Sequence, residues 1–414
     1  MVEGRYGEVK PGAGLDPDTL RAALETQGIA AGRPIRRADL ERGLLLLEDL
    51  GHAGVRASLR SGASVGTGDL LVDTAGLPPW SGDLGLDTYG AESSGQTRLN
   101  AGIQYHGGRG DLARLRFTHG EGLDYLLTSY QRPVGNHGLK LGLNQTWMRY
   151  DLDGAFAALG AQGDSRITAL NAVYPLHLSQ TGKLHASASL EHKALKDDTN
   201  AGNSADKRID LATLGLSGVL AAPGRLYQGR ASLTLGDLDL GRNPAQQAAD
   251  AAAGRTQGHY AVVRADGRGQ FDLNNGQSLA LKLEGQFADG NLDSSEKLAL
   301  GGPHAVRAYA TGESAADAGL IAHLEWTVPL PGRTRITAFL DAGYAQLNQN
   351  LYPGALAAGQ RNGYGLYGAG GELAWSNSSG LSARLTLATR LGEPPTQVTE
   401  RDALRAWFNL QQTF

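Results

Sequence analysis

The sequence predicts a mostly β protein in which a small α+β domain, residues 1–78, precedes a sixteen-stranded antiparallel transmembrane β-barrel, residues 83–414. The first observation is that segments of roughly 10 to 16 residues alternate between apolar and polar side chains through most of the chain. The second is that glycine, at 59 of 414 residues, clusters with Asn, Asp and Pro between these segments. The third is that the longest apolar run, near residues 43–47, is far shorter than the roughly 20 residues of a membrane helix. Strands must therefore make any membrane crossing.

The first domain begins with an alternating strand at residues 2–9, followed by two helices. Asp16 as N-cap and Pro17 at the first helical position predict the start of the first helix, and Gly28 its end. The second helix ends at Gly51 and has one apolar face: Ile35, Leu40, Leu44, Leu47 and Leu50. Two strands at 55–62 and 69–76 complete the order strand, helix, helix, strand, strand.

The second region divides into sixteen predicted strands, an even number as bacterial barrels require. A soluble β-sandwich also alternates, but charged residues recur here in the middle of many strands, as in a wide, water-filled lumen. The predicted strands are 83–93, 97–107, 111–122, 124–134, 138–152, 164–180, 183–197, 207–223, 225–240, 258–273, 277–290, 318–330, 334–348, 362–377, 381–392 and 402–414.

The connections between these strands have two lengths. Short links at 223–224 and 274–276 alternate with longer polar loops such as 243–258 and 350–362. Short turns on one side and long loops on the other are typical of outer-membrane barrels, as is a closing strand that ends in phenylalanine. We therefore expect Phe414 to be the signal that the barrel-assembly machinery reads.

One connection, residues 291–317, is too long for a structureless link unless it has a function. Its sequence, with the opening motif YGEV and the later segment LGLDTYG, resembles the sixth extracellular loop and flanks of two-partner secretion transporters. These are the TpsB-type haemolysin secretion/activation proteins of the barrel-assembly superfamily. The family's loop motif is matched by Val306, Arg307, Ala308, Tyr309, Gly312 and Glu313, with alanine at 308 where glycine is commonest. A second family motif, Phe-x-Asp-x-Gly, is matched by Phe339, Asp341 and Gly343.

The resemblance implies that the first domain is a POTRA domain in the periplasm and that the loop folds into the lumen, where Arg307 meets Asp341. The strand phase agrees, since Ile336, Leu340 and Tyr344 share the apolar face and leave Asp341 toward the lumen. From the residues alone, the favoured interpretation is that Arg307 is a solvated loop arginine and Asp341 one of many lumen charges.

The resemblance also implies a function: secretion of one cognate exoprotein of the haemolysin, haemagglutinin or adhesin type across the outer membrane of a Gram-negative bacterium. The expected partners are that exoprotein, which the POTRA domain would bind by its N-terminal secretion domain, the outer-membrane lipids and, during biogenesis, the assembly machinery. We expect a monomer that is not an enzyme and has no cofactor. The alternative function is a barrel-assembly insertase of the same superfamily.

The family pattern also predicts a signal peptide, a plug helix and a first POTRA domain upstream of Met1, roughly 150 residues by typical domain sizes. The net charge of -4 does not suggest binding of nucleic acid through a basic surface, and the absence of cysteine excludes disulfides and thiol chemistry. Neither the scattered histidines nor the tripeptide at 109–111 indicates a metal or binding site.

Overall fold

The computed structural model describes residues 4–12, 17–75, 78–396, 398 and 402–414. The predicted N-cap Asp16 lies outside the described residues. The first domain contains, in order, β1 (Arg5–Pro11), α1 (Pro17–Glu25), α2 (Arg37–Asp49), β2 (Arg56–Ser61) and β3 (Thr67–Asp73). The sheet order is β1-β3-β2, with β1 parallel to β3 and β2 antiparallel to it. This is the predicted order of elements, and β2 is left as an open sheet edge.

The two helices cover one face of this sheet and form a single core with it. Leu20 and Leu24 of α1 are buried against Leu47 of α2 and Leu70 of β3. Most of the predicted apolar face of α2 packs into this core, but Leu46, outside that face, is also buried. The reason is that Leu46 contacts the barrel, which the helical periodicity of the domain cannot reveal.

The remaining chain forms a closed antiparallel barrel of sixteen strands, which confirms the predicted fold class. Each strand pairs with its neighbours in sequence, and the last strand pairs with the first. The strands are β4 (Trp80–Asp87), β5 (Arg98–His106), β6 (Leu112–Gly120), β7 (Leu123–Pro133), β8 (Lys140–Asp151), β9 (Gln162–Leu178), β10 (Gly182–Thr199), β11 (Gly202–Ala222), β12 (Arg225–Asp239), β13 (Gly258–Asp272), β14 (Ser278–Ala288), β17 (Ala318–Leu330), β18 (Thr334–Gln346), β19 (Gly363–Ser376), β20 (Leu381–Arg390) and β21 (Leu404–Thr413). Two short strands, β15 (Leu298–Ala299) and β16 (Ala315–Ala316), pair within the loop between β14 and β17.

The barrel strands present one face outward and one to the lumen. On β18, Leu340 is 52% exposed on the outside, whereas Phe339 and Asp341, one residue to either side, are 4% and 3% exposed. Large apolar side chains are exposed in the same way on most of the other barrel strands. Such a continuous exposed apolar surface is stable only when lipid covers it.

The closing seam is short and ends at Phe414. Five residue pairs, from Asn409 opposite Asp87 to Thr413 opposite Asp83, join β21 to β4. The backbone of Phe414 exchanges two hydrogen bonds of 2.9 Å with Gly82. A Cβ atom on residue 82 would lie 2.7 Å from the Phe414 ring, so the absence of a side chain there lets the ring approach the strand.

The structure adds one helix that the sequence analysis treated as loop. Residues Pro244–Ala252 form α3 in the 243–258 connection. The Asn243 side chain caps it by accepting a hydrogen bond from the backbone N–H of Gln246, and Pro244 occupies the first turn. Across the described part of the chain, no helix combines the length and the apolar character needed to cross a membrane.

The first domain docks onto one end of the barrel, here called the domain end. Asp49, at the end of α2, contacts Lys140 of β8 at 2.9 Å and His185 of β10 at 2.7 Å. Leu46 packs against Gly138, where a Cβ atom would lie 2.9 Å from the leucine Cδ1. The domain is therefore held at the turns that precede β8 and β10, by one shared carboxylate and by close backbone packing.

We predict that Asp49→Ala loosens the domain from the barrel. The side chains of Asp49 and Lys140 are only 8% and 16% exposed, so the change leaves a largely desolvated ammonium group without its carboxylate. Hydrogen exchange measured by mass spectrometry should speed up in α2 and in residues 134–139. Glu48→Ala is the control, because the neighbouring Glu48 side chain is exposed. Equal exchange in both variants would show that Asp49 does not hold the domain.

Candidate functional site

The loop between β14 and β17 folds into the barrel lumen. After β15, the backbone N–H of Leu300 donates to the carbonyl of Ser314 at 3.0 Å, and that of Val306 donates to the carbonyl of Leu300 at 2.9 Å. These bonds close a compact tip at residues 300–314. The tip is buried in an apolar cluster with Phe339 of β18 and Leu366 of β19.

Arg307, at the centre of the tip, binds the barrel wall through its whole guanidinium group. Its Nε and Nη2 atoms donate to the two carboxylate oxygens of Asp341 at 2.9 and 2.7 Å, and its backbone N–H also donates to Asp341, at 3.0 Å. Its Nη1 atom donates to Glu325 of β17 at 2.9 Å. The side chain of Arg307 is 7% exposed and that of Asp341 is fully buried. The bidentate geometry provides direction as well as charge attraction.

Two aromatic side chains complete the binding of Arg307. The guanidinium carbon lies 3.5 Å from the centroid of the Phe339 ring, a close cation–π stack. The indole N–H of Trp407, on β21, donates to the Arg307 carbonyl at 2.8 Å. The arginine therefore connects three strands, β17, β18 and β21, that lie on either side of the tip.

Two glycines of the barrel wall give the tip room to approach. A Cβ atom on Gly343 would lie 2.8 Å from Cγ2 of Val306, and one on Gly368 of β19 would lie 2.8 Å from the methyl carbon of Ala308. Ala308 is buried and is not among the described residues with positive φ, so alanine is accommodated there without backbone strain. The methyl group at position 308 fits because residue 368 has no side chain.

The structure brings most of the predicted site residues to this one place. Val306, Arg307, Ala308 and Tyr309 are all buried, with the Tyr309 ring 5.8 Å from the guanidinium carbon of Arg390. Gly312 and Glu313 form the returning turn, where Gly312 has a φ of 83°. Phe414 lies elsewhere, at the seam.

Several residues that bind the tip were not identified from the sequence. On β17, His323 lies opposite Asp341 and shares a 2.8 Å hydrogen bond with it, while Glu325 lies opposite Phe339. His323 and Glu325 alternate with the apolar Leu324 and Trp326, so the sequence could have predicted that both face the lumen. Nothing in the sequence gives the register between β17 and β18, however. Trp407 is an aromatic residue on the otherwise polar, lumen-facing side of β21. This exception to the pattern could have identified Trp407 as a site residue.

A second set of ion pairs fixes the descending limb of the loop, residues 291–299, to a different part of the wall. Asp293 contacts Lys207 of β11 at 2.9 Å, and Glu296 contacts Lys193 of β10 at 2.7 Å. Lys297 pairs at 2.9 Å with Asp317, which is fully buried. The loop is therefore held at two separate places.

Below the tip, toward the domain end, lies a polar cavity of about 580 Å³. Its wall includes the tip residue Arg307 and a mixture of basic and acidic side chains: Arg268, Lys282, Arg335, Arg384, Asp272, Glu325 and Glu372. Among the residues that the structure describes, no group of three or more His, Cys, Asp or Glu side chains is arranged to hold a metal ion. The tip thus closes a polar, charged chamber on the side away from the domain end.

Comparisons with known proteins agree with this architecture. The family model of the haemolysin secretion/activation proteins ShlB/FhaC/HecB matches residues 66–368. The heme/hemopexin transporter protein HuxB of Haemophilus influenzae strain 86-028NP is 25% identical over 426 aligned positions, covering all of this chain and 74% of the relative. HuxB of strain Rd is 24% identical with the same coverage.

Solved structures show the same fold. CdiB from Escherichia coli superposes with a TM-score of 0.80 at 17% identity, over 100% of this chain and 77% of that one. CdiB from Acinetobacter baumannii gives 0.77 at 20% identity, over 100% and 74%. BamA from Haemophilus ducreyi, lacking its POTRA domains 1–3, gives 0.64 at 14% identity, over 99% and 85%.

We predict that Gly343→Ala displaces the loop tip from the wall. The new methyl group would overlap the buried Val306 side chain, and overpacking of this kind costs about 1–3 kcal/mol. The measurement is the rate of trypsin cleavage after Arg307, which we expect to rise. Adding Val306→Ala should restore protection because it removes the overlapping atoms.

Gly290→Ala is the matched control, since a Cβ atom there meets nothing within 4 Å. If Gly343→Ala leaves Arg307 as protected as in the wild type, the approach of Val306 to β18 does not position the tip.

Proposed function

The chain belongs to the haemolysin secretion/activation protein family ShlB/FhaC/HecB, the outer-membrane translocators of two-partner secretion, and we propose that it exports one cognate large exoprotein, using the Arg307 site to control passage. The control of passage is inferred from one observation: a single loop arginine is attached to three strands across the lumen. While the tip is bound, it occupies the route between the polar chamber and the far end of the barrel.

The direction of export follows from the position of the first domain. In this proposal the POTRA-like domain and the short turns it contacts face the periplasm, and the long loops face the outside. The open edge of β2 offers unpaired backbone groups to an extended segment of the exoprotein, which would bind as an added strand. The exoprotein then enters the chamber under the tip, whose mixed charges suit a hydrated, extended polypeptide.

The remaining partners are proposed on similar grounds. The exposed apolar exterior requires outer-membrane lipids, and the C-terminal strand that ends at Phe414 is the segment offered to the barrel-assembly machinery. We propose that the translocator acts as a monomer, because the closed barrel contains the complete site. Membership of a transporter family favours a role without catalysis or cofactor.

An insertase function remains the competing proposal, because BamA shares the fold. The family match favours secretion over insertion. The exoprotein is to be sought in the neighbouring reading frame, as a large secreted protein with a haemagglutinin-like N-terminal domain. The name of the Haemophilus relatives places an exoprotein involved in heme or hemopexin transport among the cargoes to test.

We predict that Arg307→Ala and Asp341→Ala each lower secretion by roughly tenfold or more, because removing one partner of a buried ion pair typically costs 3–5 kcal/mol. Arg307→Lys should give an intermediate level, since lysine keeps one charge contact but loses the bidentate geometry and the stack on Phe339. The measurement is exoprotein in the medium, divided by the amount of folded barrel in the outer membrane.

Arg114→Ala is the control for the loss of a lumen arginine. Arg114 is exposed on β6 and, by the strand phase, lies on the lumen face. Folding is checked by the shift in gel mobility on heating. If the Arg307→Ala and Asp341→Ala variants both secrete as much exoprotein as the wild type, the ion pair has no role in secretion.

A further inference from the structure

The outer surface of β9 to β12 changes character abruptly toward the far end. One row of outward-facing side chains crosses these four strands and contains, in order, Leu170, Leu190, Ala212 and Leu235. The next outward row consists of Thr168, His192, Asp210, Asp237 and, on β13, His259. This step from leucine to charged residues marks the edge of the membrane on this side of the barrel.

A groove crosses this edge. Its lower part, about 380 Å³, lies between Leu141 and Leu214 and has the small residues Ala172, Ala188 and Ala212 as its floor. Its upper part, about 510 Å³, shares Leu170, Leu190 and Ala212 with the lower part and ends at the row of histidine and aspartate side chains. Small residues between leucine side chains thus form an apolar groove that suits a hydrocarbon chain.

Two arginines lie one outward row beyond the groove. Arg166 of β9 and Arg208 of β11 face outward on either side of Ala194 of β10, so their backbones are about 10 Å apart. Both side chains are exposed, and neither forms a hydrogen bond or ion pair with the described residues. Asp239, which lies opposite Arg208, instead accepts a hydrogen bond from the backbone N–H of Gly241.

The other basic groups on this surface differ in having partners. Lys196 contacts Asp198 at 2.8 Å, Arg242 contacts Asp206 at 3.0 Å, and His192 contacts Asp210 at 2.6 Å. Arg166 and Arg208 are therefore a pair of guanidinium groups, separated by a single methyl side chain, that form no ion pair with the described residues, although the carboxylates of Asp164 and Asp239 lie on the same face. Such a pair matches a phosphate group.

The height of these arginines corresponds to the far headgroup layer. Leu178, at the other end of β9, packs into the core of the first domain. The twelve residues from there to Arg166 span about 40 Å along the strand, or about 30 Å along the barrel axis at the usual tilt. That is roughly the thickness of the hydrocarbon layer.

We propose that this surface binds a phosphorylated, acylated saccharide lipid, the lipid A portion of lipopolysaccharide, with one acyl chain in the groove and a phosphate between Arg166 and Arg208. The inference rests on the outer-membrane orientation given above. The intervening row of His192, Asp210, Asp237 and His259 accepts hydrogen bonds from the hydroxyl and amide groups of the sugar. A glycerophospholipid has a phosphate but few such donors, which is why the site favours the saccharide lipid.

The experiment uses the full chain, purified in detergent and stripped of lipid. Lipopolysaccharide, its dephosphorylated form, phosphatidylglycerol and phosphatidylethanolamine are titrated separately, and bound lipid is counted by native mass spectrometry. We expect the wild type to bind one lipopolysaccharide molecule in preference to the other three lipids. The double variant Arg166→Ala, Arg208→Ala should bind it about tenfold more weakly, as loss of charge-assisted contacts implies.

Two further variants keep the test decisive. Arg149→Ala removes an outward arginine at the same end that already has a carboxylate, Asp151, at 4.0 Å, and it should bind like the wild type. Ala212→Phe fills the groove without changing charge and should weaken binding even if the double variant fails to fold. Equal lipopolysaccharide binding by the Ala212→Phe variant and the wild type, or equal wild-type binding of phosphatidylglycerol and lipopolysaccharide, would overturn the proposal. Neither outcome depends on whether the barrel secretes a protein.

Discussion

The binding of Arg307 to Asp341 is the interaction on which the rest of the site depends. A guanidinium and a carboxylate buried together in the lumen are costly to desolvate, so they are stable only if every donor and acceptor finds a partner. The surrounding residues supply most of these partners: Glu325 accepts a hydrogen bond from Nη1, His323 bonds the carboxylate through Nδ1, and Phe339 covers the planar face. We therefore expect that removing one member leaves the others without a partner and displaces the loop tip.

The same requirement explains the pattern of glycines in the wall. The guanidinium can reach Asp341 only if the backbone of the tip comes close to β18 and β19, and Gly343 and Gly368 permit that approach. The Phe-x-Asp-x-Gly spacing on one strand face then has a simple physical meaning. Successive lumen positions provide a stacking ring, a counter-charge and free space, each directed at a different atom of the tip.

Sequence periodicity predicted the fold well because strand alternation depends on neighbouring residues only. All sixteen barrel strands were placed to within a few residues, with the largest differences at the outer ends of β4 and β11. The predicted first strand continued to residue 93, but it ends at Asp87, whose side chain accepts the backbone N–H of Tyr89 and turns the chain. Helix α3 was missed although Asn243 and Pro244 repeat the N-cap and first-turn proline that predicted α1, because its alanine-rich sequence between two strands was interpreted as a long polar loop.

The site was predictable only where a motif exists. Arg307 and Asp341 were named through the family resemblance, whereas Glu325 and Trp407 depend on the register between strands and on closure of the barrel. Neither property is encoded in the local periodicity of one strand. The limb contacts, such as Lys207 with Asp293, depend on how a 27-residue loop crosses the lumen, for which residue type alone gives no distance.

The two attachments of the loop have different consequences for passage. The tip contacts β17, β18 and β21, whereas the descending limb contacts β10, β11 and β13. If both were released together, the loop would leave the lumen entirely and the barrel would remain an open pore. If only the tip is released, the limb keeps the loop beside one wall, so that the route opens along β17 to β21 and the tip can rebind after the exoprotein has passed. In the proposed control of passage, the separation of the two attachments permits repeated opening and directs the route along β17 to β21, beside the short β4–β21 seam.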